Sequence, residues 1–367
     1  MRVSPIAIDF GSERLKLLQL VPGNPPQLLA AAEAQVPAEA RADASARQLF
    51  FGQALRDLLK KQPFKGRRAI CSLPAYQTLV QNLEVGRADQ SGLDDLVADQ
   101  LRERMNVDPA RMVIRHHSLG QVVRNGTNMQ QVLCLAASRD VVMQYVSLCA
   151  ESKLDLVGMH SEPMAILRAF ADPDTETDGP AVCYIDIGAA TTKLVIAHGG
   201  AVKFAKTVHA ASDQLAGQPA AQAQAQAQTQ AQTQTVAAGQ AGGESVGAGE
   251  GMAMLNAATN EQAPAAASGD GETVEYLIDE LQMCLRYHQG LFPKKPMEKL
   301  VFIGGGARQV QTCQRLARAV RVAAQLGDPL ARMARVSAAK PPVGVDLDES
   351  QPGWTVPFGL CHSEANL

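Results

Sequence analysis

Two stretches of the chain place a glycine two residues after an aspartate and a lysine seven residues after it. Asp9-Phe10-Gly11-Ser12 leads to Lys16, and Asp186-Ile187-Gly188-Ala189 leads to Lys193. Each aspartate closes a short apolar run, and each lysine stands at the start of another, so both copies read as strand, tight turn, strand. Glycine in the turn accepts the backbone angles of a tight hairpin and leaves amide N–H groups uncovered. Successive uncovered N–H groups form a concave anion site that suits phosphate. A carboxylate at the strand end suits the water shell of Mg²⁺ better than phosphate itself. Asp9 and Asp186 are therefore the candidate metal-facing acids, acting through water, and Ser12, Thr191 and Thr192 add hydroxyl donors. Lys16 and Lys193 either reach phosphate or stay solvated on the return strands. A single Asp-x-Gly turn is an ordinary polar hairpin. Two copies in the same context, nearly half a chain apart, point to duplicated domains whose hairpins clamp phosphate groups from both sides.

A third stretch runs Leu300-Val301-Phe302-Ile303 into Gly304-Gly305-Gly306-Ala307-Arg308, a strand, three glycines and the start of a helix. Glycines let backbone pass close beneath a flat ligand or a phosphate at a helix N-terminus. No Gly-Lys-Ser/Thr follows, so this is not a Walker loop, and the Gly-x-Gly-x-x-Gly spacing is also missing. By itself the segment is equally a tight strand-to-helix turn; after two phosphate hairpins it reads as a loop beside adenosine. Glu162, just ahead of Pro163, is well explained as an acid favoured at a helix start.

These groups need an α/β scaffold. Apolar runs with β character lie at residues 6–9, 15–21, 68–73, 79–85, 112–120, 130–138, 182–186, 193–198, 202–208 and 299–303. Helical periodicity covers 45–60, 92–104, 139–152, 163–171, 274–289 and 308–319. In the stretch 274–289, Leu277, Ile278, Leu281 and Leu285 share one face, with Glu280 and Arg286 placed off it. From Gln214 to Gly271 the chain is Ala, Gln, Gly, Ser and Thr with almost no large apolar residue. Such a stretch lacks the apolar surface to offset ordering entropy and reads as a disordered insertion, so a coherent fold must bring Ser212 and Thr273 together.

The totals exclude several classes. Hydrophobic residues are 46% of 367 and no apolar run reaches transmembrane length, so no membrane span is expected. The formal net charge is -3, with Lys and Arg scattered among Asp and Glu, which gives no basic stripe for nucleic acid. Seven cysteines without a Cys-x-x-Cys spacing fit reduced thiols in a cytosol rather than zinc or disulfides. His116 and His117 sit on opposite faces of one strand and cannot share a metal. Trp354 reads as a packing anchor. No signal peptide is expected, which points to a cytoplasmic protein.

The three motifs, in this order, resemble those of the actin/Hsp70/sugar-kinase superfamily, whose fold is a ribonuclease H-like duplication in two lobes. Asp9, Gly11, Ser12 and Lys16 match its first phosphate loop. Asp186, Gly188, Thr191, Thr192 and Lys193 match its second, and Gly304, Gly305 and Gly306 match its adenosine loop. Within the superfamily the chain is most similar to the type IV pilus assembly protein PilM family. That similarity includes Ile8-Asp9-Phe10-Gly11-Ser12, a strand ending Leu73-Pro74, the stretch from Glu162 to Phe170, and Leu281 through Leu285-Arg286-Tyr287. It covers nearly all of the chain except 214–271 and 339–352.

The resemblance implies an FtsA-like arrangement. The first lobe would hold residues 1–26 and 144–180, interrupted by a small inserted subdomain at 27–143. The second lobe would span 181–345, and 346–367 would return to the first. It implies ATP with Mg²⁺ in the interlobe cleft, with hydrolysis weak or uncertain across the family, and it makes Glu162 and Asp186 the candidate catalytic carboxylates, Glu162 standing where the superfamily orients the attacking water. It also implies a partner, the N-terminal cytoplasmic tail of a PilN-like inner-membrane protein, through which alone the chain would meet the membrane. Contact with a pilus or secretion assembly ATPase complex and self-association are further implied partners. The chain departs from the family pattern after Ser212-Asp213-Gln214-Leu215, where the Gln/Ala tract replaces part of the second lobe's adenosine wall. Two other functions of the same fold remain open: a small-molecule kinase, which needs a base and a substrate pocket, and an FtsA-like filament former, which needs a C-terminal amphipathic helix.

Overall fold

The apolar runs become strands of three sheets in a computed structural model, which describes residues 3–86, 90–124, 126–171, 179–210, 270–334 and 345–367. In chain order the first lobe begins with β1 (Ile6–Phe10), β2 (Arg14–Val21) and β3 (Gln27–Gln35), then α1 (Ala38–Ala42), α2 (Ala44–Lys61) and β4 (Arg68–Leu73). Next come β5 (Leu79–Gly86), α3 (Gln90–Met105), β6 (Met112–Arg124) and β7 (Thr127–Ser138). The first lobe resumes with α4 (Arg139–Glu151), β8 (Asp155–Ser161) and α5 (Glu162–Phe170). The second lobe holds β9 (Ala181–Ile187), β10 (Thr192–His198), β11 (Ala201–Val208), α6 (Asp270–Leu291), β12 (Met297–Ile303), α7 (Val310–Val320) and β13 (Ala323–Leu326). A last helix, α8 (Thr355–Cys361), follows.

The duplication read from two short motifs extends to whole sheets. The first lobe orders its strands β3-β2-β1-β4-β8 and the second β11-β10-β9-β12-β13. In both, the first three strands meander antiparallel and the last two join parallel. Register carries the repeat down to single residues, because Asp9 pairs opposite Lys16 and Asp186 opposite Lys193. Strands β1 and β9 are central in their sheets and almost wholly buried, so the carboxylates at their ends have fixed positions.

The inserted subdomain is smaller than expected. Residues 27–35 and 68–73 belong to the first-lobe sheet as β3 and β4, and only β5, α3, β6 and β7 form the separate three-stranded unit, ordered β5-β7-β6. The reason lies in β3, whose sequence QLLAAAEAQ has helix-forming alanines but pairs along all of β2. Tertiary pairing overrides a weak local propensity there. Strands β3, β8 and β13 and helix α8 were not among the expected elements. Helix α6 begins at Asp270, inside the tract read as an insertion, and the rest of that tract lies outside the described residues. Ser212 lies outside the described residues; Ala210 and Val274, on either side of the tract, belong to one apolar cluster.

Four apolar clusters hold the fold. One belongs to the first lobe, one to the second and one to the inserted unit, where Leu93, Val97 and Leu101 of α3 pack on the sheet. The fourth joins the lobes, drawing together Ala7, Ile166, Tyr184, Val301 and Trp354. Helices α5 and α8 pack within it, which returns the C-terminal residues to the first lobe. Glu280, off the apolar face of α6, is buried all the same and pairs with Lys206 of β11 at 2.6 Å, both side chains being 5% exposed or less. Among the described residues no helix is long and apolar enough to cross a membrane.

Candidate functional site

The ends of β1 and β9, the two hairpin turns and the glycine loop after β12 border one cleft of about 500 Å³ between the lobes. Its walls include Asp9, Gly11, Ser12, Lys16, Glu162, Asp186, Gly188, Thr191, Lys193, Gly304, Gly305 and Gly306. Thr192 is the exception among the expected ligand residues. It is fully buried and its hydroxyl donates to the Ala210 carbonyl at 2.7 Å, holding β10 to the end of β11. Adjacent strand residues face opposite sides, so with Lys193 on the cleft, Thr192 must turn inward.

The glycines are required by close approach. A methyl group on Gly11 would stand 2.7 Å from the Arg14 carbonyl oxygen, and one on Gly188 would stand 2.8 Å from that of Thr191. The same turn is thus built twice, each time with the glycine pressed against the carbonyl three residues on. Gly304 has φ 82° and ψ 172°, and its amide donates to the Pro352 carbonyl at 3.0 Å. A methyl there would be 2.5 Å from the Ile187 carbonyl oxygen and nearer still to the Asp186 carboxylate. Gly305, by contrast, faces open space.

The charges in the cleft are unevenly used. The Lys193 ammonium bonds Glu162 at 2.6 Å and Asp186 at 2.7 Å, and all three side chains are nearly buried. Burial alone would lower the lysine pKa, yet the two carboxylates outweigh it and raise the value. Burial pushes the Glu162 carboxyl up to about 7, against the opposing pull of Lys193. Burial also raises Asp9, which feels both lysines and has Ser72 donating to it at 3.5 Å. Lys16 is not paired to Asp9. Its ammonium donates to the Gly353 carbonyl and lies 5.7 Å over the Trp354 ring, and burial holds its pKa below the usual lysine value.

One wall of the cleft escaped the sequence reading. Residues 345–354 run across its mouth, with Gly353 packed over Gly305 and Arg308 donating to the Gln351 side chain at 3.2 Å. This segment ties Lys16 of the first lobe to Gly304 of the second. Trp354 is buried as expected of an anchor, and it also forms part of the site. Arg14, Glu33 and Tyr76 line the cleft as well; Arg14 is bound to Glu33 at 2.5 Å. No periodicity or motif in residues 345–354 marks them, because their role comes only from crossing between lobes.

A nucleotide fits this setting. The volume lies within the usual range for ligand clefts, roughly 300–1,000 Å³, and the open surface at Gly305 accepts a flat ring or a phosphate. A water-bound Mg²⁺ between Asp9 and Asp186 does not fit, because Asp186 and Glu162 already hold an ammonium. Among the described residues no group of three or more His, Cys, Asp or Glu side chains is arranged to hold a metal.

No protein-family model matches the sequence, and a search of curated proteins finds no match. The solved structures do. A chain of the PilM-PilN type IV pilus biogenesis complex matches with a TM-score of 0.70 at 18% identity, over 99% of this chain and 98% of that one. The fold is the two-lobed actin-like ATPase fold. Ethanolamine utilization protein EutJ from Carboxydothermus hydrogenoformans matches at TM-score 0.45 and 13% identity, covering 98% and 89% of the two chains. A Bacteroides thetaiotaomicron protein described as having an actin-like ATPase fold matches at 0.43 and 10%, covering 88% and 90%. The actin-like expectation drawn from three short motifs is met in the fold of the described residues.

Proposed function

We propose that the chain is a PilM-like platform of a type IV pilus or related secretion assembly, docking the N-terminal cytoplasmic tail of a PilN-like inner-membrane protein. The observation that supports this reading is the end-to-end likeness to a chain of the PilM-PilN complex, 99% of this chain on 98% of that one. The platform would be cytoplasmic and would meet the membrane through its partner. ATP would lie in the interlobe cleft as a structural or switching ligand, its phosphates between the Gly11 and Gly188 turns and its base toward Gly304, Gly305 and Gly306. Ser12 and Thr191 would donate hydroxyls, and Lys16 would add charge if released from Gly353.

The platform reading is tested by titrating the purified chain with labelled N-terminal tails of inner-membrane pilus and secretion assembly proteins. Saturable binding of one such tail is the expected outcome; turnover of a small substrate with no tail bound would refute it. The nucleotide reading is tested with a fluorescent ATP analogue. Saturable binding supports it, and no saturable binding removes it.

A further inference from the structure

We infer that the Lys193 ammonium stands where a phosphate-binding cleft would otherwise carry a divalent cation, so that this cleft takes its phosphate-bearing ligand without metal. The inference rests on reading the cleft as a phosphate clamp, and it deepens that reading.

Three carboxylates line the cleft from separate elements: Asp9 at the end of β1, Asp186 at the end of β9 and Glu162 at the start of α5. Three acids around a phosphate site would ordinarily be offset by a metal. Mg²⁺ asks for about six oxygen ligands in near-octahedral order and keeps several of its waters. Here Lys193 bonds Asp186 and Glu162 together, at 2.7 and 2.6 Å. A dication bridging the same oxygens would sit against a fixed ammonium in a site that excludes much of the solvent. Like charges repel strongly in such surroundings.

Asp9 is the one acid of the three outside this bridge, and it offers no better position. Both ammoniums act on it, and its recorded hydrogen-bond partner is the Ser72 hydroxyl at 3.5 Å. The position of Lys193 is set by the fold rather than by chance rotation. Strand register puts it directly across from Asp186, and its side chain is only 12% exposed. The repeat makes the contrast clear. Lys16 has the same register opposite Asp9, yet it turns to the Gly353 carbonyl and braces the segment that crosses the cleft. The duplicated motif therefore supplies two ammoniums with different duties: one braces the segment crossing the cleft, and one balances the acids.

The test uses the full chain, Mn²⁺ as the metal probe read by electron paramagnetic resonance, and ATP as the phosphate probe read by calorimetry. Wild type is expected to bind no Mn²⁺ in the cleft, and its ATP affinity is expected to agree within about twofold between excess EDTA and Mg²⁺. Lys193→Met removes the ammonium and leaves Asp186 and Glu162 without their counter-ion. It is expected to acquire a Mn²⁺ site, and its ATP affinity is expected to fall about tenfold in EDTA and recover with Mg²⁺. Lys193→Arg keeps the charge and is expected to behave as wild type. Stoichiometric Mn²⁺ on the wild-type chain, lost in Asp9→Asn, would overturn the inference. So would wild-type ATP binding about tenfold tighter with Mg²⁺ than with EDTA; both measurements hold even if the methionine variant fails to fold. Absence of ATP binding under both conditions would remove the clamp reading, and the Mn²⁺ arm then decides alone. Mn²⁺ on Lys193→Met but not on wild type keeps the substitution of lysine for metal, and Mn²⁺ on neither overturns it.

Discussion

Replacing Gly304 by alanine probes how far the cleft depends on one backbone conformation. The residue has φ 82° and ψ 172°, a region that residues with a side chain enter at a cost of about 1–3 kcal/mol. The added methyl would also stand 2.5 Å from the Ile187 carbonyl oxygen and press on the Asp186 carboxylate. Relieving that overlap costs about 1–3 kcal/mol more by analogy with other overpacked sites. The sum, about 2–6 kcal/mol, is a large share of the roughly 5–15 kcal/mol typical of a folded domain. Gly305 is the control. Its backbone is not in the left-handed region and a methyl there meets nothing within 4 Å, so Gly305→Ala should change stability by less than about 0.5 kcal/mol. Trp354 is the only tryptophan in the chain and belongs to the segment lying against Gly304 and Gly305, so its fluorescence reports on this corner during urea unfolding. Equal midpoints for the two variants, or a Gly304→Ala loss below about 1 kcal/mol, would refute the close packing of the loop on Asp186.

Three further outcomes follow from particular contacts. Lys206→Met strands the buried Glu280 carboxylate and should cost about 3–5 kcal/mol by chemical denaturation, while the double variant Lys206→Met with Glu280→Leu should recover most of it. The Glu162 carboxyl is raised to about 7 from 4.5 in the folded chain, so its favourable contribution is complete below pH 4.5 and is lost as pH climbs through 7. Glu162→Gln does not titrate, so between pH 5 and 8 wild type should lose about 1–3 kcal/mol relative to this variant, and parallel pH profiles would contradict the shift. Asn366 caps the edge of β8, accepting from the Met159 amide at 2.9 Å and donating to the Met159 carbonyl at 3.0 Å. Asn366→Ala should cost about 1 kcal/mol and speed hydrogen exchange at the Met159 amide, with no change at the buried strands β1 and β9.

Much of the site could be read from residue types because the hairpins are local. Aspartate, glycine and lysine at fixed offsets specify a turn and a cross-strand pair within ten residues of chain, and the second copy removes the ambiguity of the first. Alternation at the start of β10 also held the information that Thr192 and Lys193 cannot both face the cleft. The alanine-rich β3 was hidden because its composition favours helix and only pairing with β2 makes it a strand. Glu280 was hidden because an acid on a helix reads as solvent-facing until a lysine from another strand is known to meet it.

The amino-acid sequence by itself determined the duplication, the two turns, the glycine loop and their order, since each depends on backbone geometry over a few residues. Tertiary structure alone decided what those charges do. Lys193 meets Glu162 because α5 brings the acid across from the other lobe, and Lys16 meets Gly353 because the final segment crosses the cleft on its way back to the first lobe. The two lysines hold the same place in the repeated motif, so no local rule distinguishes them. What separates them is which distant backbone or carboxylate the packed lobes place within reach of each ammonium.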